Sequence, residues 1–174
     1  MAGLTPPRPL TVEDDRRAFD CGRDSLNLWF RRHAWRNQAS GVSRTSVVCD
    51  REGGQIVGYV SLSAAQIERA HLPKVARRNQ PDPLPALLLG QLAVDLAHQG
   101  RGYARSLVIF ALTTAVRFSR EIGCFCVITH PLDDRVRTFY RGFGFEDLPF
   151  DPRGAMAVRI ADLERNGFSG DLGN

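Results

Sequence analysis

Long hydrophobic runs are missing from this chain, and so are the usual marks of an exported or disulfide-stapled protein. Its 174 residues contain no run of about 18 apolar residues, the length a membrane-crossing helix needs. The opening stretch, MAGLTPPRPLTVEDD, has no apolar core of a signal peptide, so export is not indicated and the cytoplasm is the expected location. Cysteine is scarce: Cys21, Cys49, Cys124 and Cys126 make no framework. Cys124 and Cys126 alternate with Phe125 and on a strand would share a face, as a metal or redox pair or simply as small buried residues. Charge of one sign is scarce too. Lys and Arg number 23 against 19 Asp and Glu, a net charge of +4 that matters only where it clusters. Repeats and low-complexity segments are absent. What remains, 43% apolar and 24% charged residues, is the composition of an ordinary globular domain, and one domain over 1–174 is expected.

The periodicities predict a mixed order of elements. DSLNLWFRRHAWRNQ places Leu26, Trp29, Phe30 and Ala34 near helical spacing, for a helix over about 24–38. Two β-rich runs flank Asp50-Arg51-Glu52-Gly53-Gly54, a hairpin. Three prolines make RRNQPDPLP an extended connection, and ALLLGQLAVD then suits a central strand. From Gly102 to about Ile122, the positions Leu107, Val108, Ala111, Leu112, Ala115 and Val116 draw one apolar stripe of a long helix that Gly123 would close. CFCVITH is a second buried strand. Asp133 or Asp134 can cap a short helix, DRVRTFYRGF, which Gly144 breaks, and AMAVRIADL reads as a last strand. The expected class is α/β or α+β, with a largely antiparallel sheet and one central βαβ crossover.

One stretch does not fit a purely structural account. Gln99-Gly100-Arg101-Gly102-Tyr103-Ala104 puts two glycines at the head of the long helix, where they weaken it. A helix N-terminus exposes unpaired N–H groups, and glycines let a diphosphate approach them without meeting a β-carbon. Arg101 and Arg105 would add charge for further phosphates. No Gly-Lys-Ser/Thr follows, which excludes the P-loop, and the third glycine of the dinucleotide fingerprint is missing. A tight strand-to-helix turn with no ligand is the competing reading.

Gln99-x-x-Gly102-x-Ala104 resembles the Gln/Arg-x-x-Gly-x-Gly/Ala loop of the GNAT acetyltransferases, and FYRGFGF, residues 139–145, is similar to a second block of that superfamily. FDCGRDSLNLWFRRHAWRNQASGVSRTSVV and RRNQPDPLPALLLGQLAVD extend the likeness to one branch, the acetyltransferase toxins of bacterial type II toxin–antitoxin modules (the TacT and AtaT kind). The resemblance implies a GNAT fold with helices on both faces of the sheet and acetyl-CoA, without metal, as co-substrate. Leu92, Ala93, Val94, Gln99, Gly100, Arg101, Gly102, Tyr103, Ala104 and Arg105 would hold that co-substrate, with a backbone N–H near Val94 as oxyanion donor. It further implies acetylation of the α-amine of aminoacyl-tRNA, blocked translation, a homodimer, and a neutralising ribbon-helix-helix antitoxin that binds operator DNA through the complex as a repressor. Gln91 departs from the branch, where an arginine is expected, and puts substrate choice in question.

Tyr140 is the expected general acid for the departing thiolate, against the alternative of a packing tyrosine. A free α-amine has a pKa of about 7.7–8.0 and esterification lowers it, so a strong base is optional. His98 and His130 stand where they could meet cofactor and substrate, or serve the fold alone. Arg31, Arg32, Arg36, Arg44, Arg77 and Arg78 are the candidates for the tRNA backbone, with a solvated surface as the alternative. Two other functions stay open: acetylation of a small or protein amine, and a regulatory protein that binds acetyl-CoA without turnover.

Overall fold

The computed structural model of the chain describes residues 3–170. Its strands are β1 (Arg8–Pro9), β2 (Arg44–Cys49), β3 (Ile56–Ile67), β4 (Leu84–Val94), β5 (Cys126–Thr129), β6 (Glu146–Asp147) and β7 (Met156–Arg159). They form one seven-stranded sheet in the order β1-β2-β3-β4-β5-β7-β6. β1 with β2, β2 with β3, β5 with β7 and β6 with β7 are antiparallel. β4 and β5 are parallel, which requires a crossover, and the helix α3 (Tyr103–Glu121) supplies it. Mixed pairing with one central βαβ unit is the expected class.

The described residues fall into two compact units. The first runs up to Ser63 and includes Leu89–Ala111; the second takes Ala64–Leu88 and the chain from Leu112 onward. In the first, α1 (Asp24–Trp29), a π turn (Phe30–Ala34) and α2 (Trp35–Ser40) follow without a break and end on Gly41 at φ +79°. This segment runs two residues past the expected end. Phe30 stacks on Tyr59 at 4.1 Å between ring centres, Phe19 packs edge-on to both, and the Tyr59 hydroxyl donates to Leu26 O at 3.0 Å. That polar tip keeps a buried phenol satisfied while its ring fastens the helix to β3. In the second unit Ile67, Leu84, Cys126, Ile128, Leu148 and Ala155 build the core.

The stripe anticipated on α3 is real: Leu107, Val108, Ala111, Leu112, Ala115 and Val116 are all buried. Asp133 caps α4 (Asp134–Arg141) by accepting from Val136 N–H at 2.9 Å. Three expectations need correction. Gly123 follows α3 but takes no positive φ, so it is not the left-handed cap. α4 ends at Arg141 with Gly142 as its cap, two residues before Gly144, which instead bends the following loop at φ +88°. The last strand stops at Arg159, and Ile160–Arg165 is a helix, α5. Ile160 and Leu163 are buried at a spacing of three, and Asp162 receives Arg159 and Arg165 at 2.6 Å each, contacts a helix offers and a strand does not.

Candidate active site

β4 presents its end to the glycine turn. It pairs with β5 from Ala86↔Cys126 to Leu88↔Ile128 and then runs on to Val94. Leu92 is half-buried there, Ala93 and Val94 buried, and Gln91 half-buried. Past Val94 the chain is tied down. Asp95 N–H donates to Val57 O at 2.9 Å, and the Asp95 carboxylate accepts from Ala97 N–H at 3.0 Å and Asp20 N–H at 3.2 Å. Gln99 Nε2 donates to Val94 O at 2.9 Å and to Cys21 O at 3.0 Å. Its side chain therefore staples the turn to the strand end and to the N-terminal segment and leaves ligand binding to the backbone. Asn27, buried on α1, completes the brace: its Oδ1 accepts from Cys21 N–H at 2.9 Å and its Nδ2 donates to Asp20 at 2.8 Å. The Gly22 N–H and Asn27 hold the Asp20 carboxyl below its ordinary value.

Between these fixed points the turn is open. Gly100 and Gly102 have φ +74° and +82°, and a β-carbon at either would meet nothing within 4 Å. The first amide to close on a helical carbonyl is Ser106 N–H, on Gly102 O at 3.2 Å. Amides of Tyr103 and Ala104 thus precede any intrahelical partner. Arg101 and Arg105 are exposed, Tyr103 and Ala104 half-buried. Left-handed glycines, first-turn amides and two arginines at the head of a 19-residue helix suit a diphosphate. The residues present fit coenzyme A.

Tyr140 sits on α4, 4% exposed, edge-on to Phe139 and Phe145. Burial pushes its phenol up to about 12, and a hydrogen bond with the buried Thr129 pulls the other way. The phenol is fully protonated at neutral pH, the state a general acid must hold. Thr129, the last residue of β5, escaped the sequence reading; a hydroxyl closing an apolar strand was its only signal. Asn27 gave a similar one, a polar residue between Leu26 and Leu28.

The six arginines divide in two. Arg32, Arg36 and Arg78 are exposed and pair with no carboxylate among the described residues. Arg31 donates to Phe19 O at 2.7 Å and Arg44 to Gln38 O at 2.9 Å, so both are partly committed to their own chain. Arg77 is the most committed. It donates to Leu72 O at 2.7 Å and Ala70 O at 2.6 Å, and its guanidinium lies 4.9 Å from the Phe150 ring centre. His98 Nδ1 lies 3.5 Å from Asp95 Oδ1. The four thiols are free, and burial raises each of them, most for Cys126, to about 12. Such thiols are poor nucleophiles and metal ligands.

A strand end feeding a glycine turn and a long helix, followed by a parallel strand and a helix with a buried protonated tyrosine, defines a coenzyme A-dependent acyltransferase. Comparison with known proteins narrows the class. The family model described as Acetyltransferase (GNAT) domain matches residues 43–147. The chain is 38% identical over 158 residues, 91% of its length and 94% of the other's, to the tRNA-acetylating toxin of Mycobacterium tuberculosis (strain ATCC 25618 / H37Rv). Among solved structures it is similar to AtaT complexed with acetyl-methionyl-tRNAfMet, at 30% identity and a TM-score of 0.86 over 94% of this chain and 98% of that one. It is also similar to a tyrosine-to-phenylalanine mutant of AtaT bound to the C-terminus of the antitoxin AtaR and acetyl-CoA, at 27% identity and a TM-score of 0.80 over 94% and 98%. The protein belongs to the GNAT acetyltransferase family.

Proposed function

We propose that this protein is an acetyl-CoA-dependent toxin that acetylates the α-amine of the amino acid carried by tRNA and thereby stops translation. A GNAT fold alone does not choose an acceptor. The choice is carried by the 38% identity to a tRNA-acetylating toxin, spread across nine-tenths of both chains. Acetyl-CoA supplies an activated acetyl group as a thioester. The open turn from Gln99 to Ala104 would hold its diphosphate by main-chain N–H groups, with Arg101 and Arg105 on the remaining phosphates and the β4 end, Leu92 to Val94, along its pantetheine arm. Tyr140 protonates the departing sulfur. Arg32, Arg36 and Arg78 meet tRNA phosphates, with Arg31 and Arg44 beside the first two in sequence. Arg77 shapes its own loop. A ribbon-helix-helix antitoxin that neutralises the enzyme and represses its operon, a homodimeric state and a cytoplasmic location complete the reading. No helix of the described residues is long and apolar enough to cross a membrane.

The test is incubation of purified protein with labelled acetyl-CoA and total charged tRNA, followed by release and identification of the labelled aminoacyl group. Label on the α-amine of a tRNA-borne amino acid is expected. Label only on polyamines or protein N-termini would overturn the proposal. Tyr140→Phe should keep acetyl-CoA affinity and lose about 10²–10⁴-fold in turnover, the range for a general acid. Unchanged turnover would remove Tyr140 from that role.

A further inference from the structure

Residues 19–22, in the first unit, form neither helix nor strand, yet all three peptide groups between Phe19 and Gly22 are hydrogen-bonded. Three bonds run to the loop that leads into the glycine turn. Asp20 N–H donates to the Asp95 carboxylate at 3.2 Å, Asp20 O accepts from Leu96 N–H at 2.8 Å, and Cys21 O accepts from Gln99 Nε2 at 3.0 Å. From the other side the segment is held by α1 and the π turn after it. Arg31 donates to Phe19 O at 2.7 Å, while Asn27 accepts from Cys21 N–H at 2.9 Å and donates to the Asp20 carboxylate at 2.8 Å. Gly22, at φ +76°, fits so closely that a β-carbon would lie 3.0 Å from Leu96 Cδ2. A strap with no regular structure of its own keeps its place through such ties.

Asn27 is the tie that costs most to keep. It is the one buried residue of α1, and it is polar. A helix that needed only to pack would bury an apolar side chain there, because an amide withdrawn from water must be matched at both ends. Here both ends are matched, and both by the strap. We infer that Asn27 is a positioning residue for acetyl-CoA: through residues 19–22 it sets loop 95–99, and with it the amides of the glycine turn. The inference rests on the coenzyme A site proposed above. With the strap loosened, Gln99 keeps its bond to Val94 O alone and the turn spreads over several arrangements. The apparent Kd then rises by the inverse of the competent fraction, while acetyl-CoA once bound reacts as before.

Titration of the full-length protein with acetyl-CoA, beside steady-state acetylation of charged tRNA, tests this. Asn27→Ala should raise the acetyl-CoA Kd and KM about tenfold, the equivalent of one hydrogen bond to a charged group. Its kcat at saturating acetyl-CoA and its KM for charged tRNA should stay within threefold of the wild type. Asn27→Asp adds a pH signature. Its carboxylate still accepts from Cys21 N–H but faces that of Asp20, and a proton shared by the two replaces the lost N–H. The ratio of its Kd to that of the wild type should therefore fall from about tenfold at pH 8 toward one at pH 5. Asp95, His98, Cys21 and Arg31, the other titratable groups around the strap, are common to both proteins and leave that ratio unmoved. Gly22→Ala strains the strap from its exposed side, spares the buried amide, and should raise Kd about fivefold. It decides the matter even where Asn27→Ala fails to fold. A Kd within twofold of the wild type for Gly22→Ala and for Asn27→Asp at pH 8 overturns the inference, whatever the melting temperatures. So does a kcat that falls as far as Kd rises, which is the mark of general damage. A wild type that binds acetyl-CoA and acetylates no charged tRNA overturns the proposed acceptor and leaves Kd to decide the role of Asn27. A wild type that binds no acetyl-CoA overturns both.

Discussion

Gly102→Ala separates a glycine kept for a turn from one kept for a ligand. Gly102 stands at φ +82°, where an L-residue with a β-carbon is strained by roughly 1–2 kcal/mol. The new methyl meets nothing within 4 Å of its own chain, so no packing penalty adds to that strain. For a protein of this size about 2–4 °C of melting temperature follows each kcal/mol, which gives an expected drop of roughly 2–8 °C. Affinity should respond differently. On the proposed site the methyl would occupy the space through which a diphosphate reaches the first-turn amides, and the hydrogen bonds lost there would be charge-assisted. Losing even one should cost about 1.5–3 kcal/mol, or roughly ten- to hundredfold in Kd. Isothermal titration with acetyl-CoA well below the melting transition measures this, and thermal unfolding without ligand measures the strain. A melting temperature lowered as expected beside a Kd within twofold of the wild type would refute the cradle and leave a bare turn.

Gln99→Ala removes two hydrogen bonds from one amide nitrogen and should destabilise by about 1–3 kcal/mol in urea unfolding; an unchanged midpoint would mean that the brace is redundant. Asp14 receives Arg8 at 2.6 Å and is held below the ordinary 3.8. A depressed carboxylate contributes stability that is present above its unfolded pKa and lost as pH falls through the folded one. Asp14→Asn should therefore lower stability at pH 7 and flatten its decline below about pH 4, as followed by circular dichroism. Reversing Arg32, Arg36 and Arg78 to Glu should weaken tRNA acetylation and reduce its salt dependence at constant acetyl-CoA affinity. Equal loss of both activities would assign these arginines to the fold.

The long helix, the two buried strands it joins and the glycine turn were legible because each is long or chemically unusual. A 19-residue helix repeats its apolar stripe five times, and two left-handed glycines at a helix head have few other uses. The failures are short. Strands β1 and β6 are two residues each, below the length at which alternation exists. In AMAVRIADL, Met156 and Val158 alternate as a strand while Ile160 and Leu163 keep helical spacing, and the switch has no breaker to mark it. Side-chain employment was least legible. The side chains of Gln99 and Arg77 are held by backbone carbonyls 5 to 78 residues away. Nothing local announces a carbonyl that distant.

β5 is clamped on both edges, at three positions by β4 and at all four of its residues by β7. Such a strand cannot slide. Were it to move by one residue, every side chain along it would turn to the opposite face, and Thr129 would leave the Tyr140 hydroxyl that it bonds. The sheet therefore behaves as a ruler: its lateral pairing, more than any contact near the tip, fixes the face from which Thr129 reaches the tyrosine.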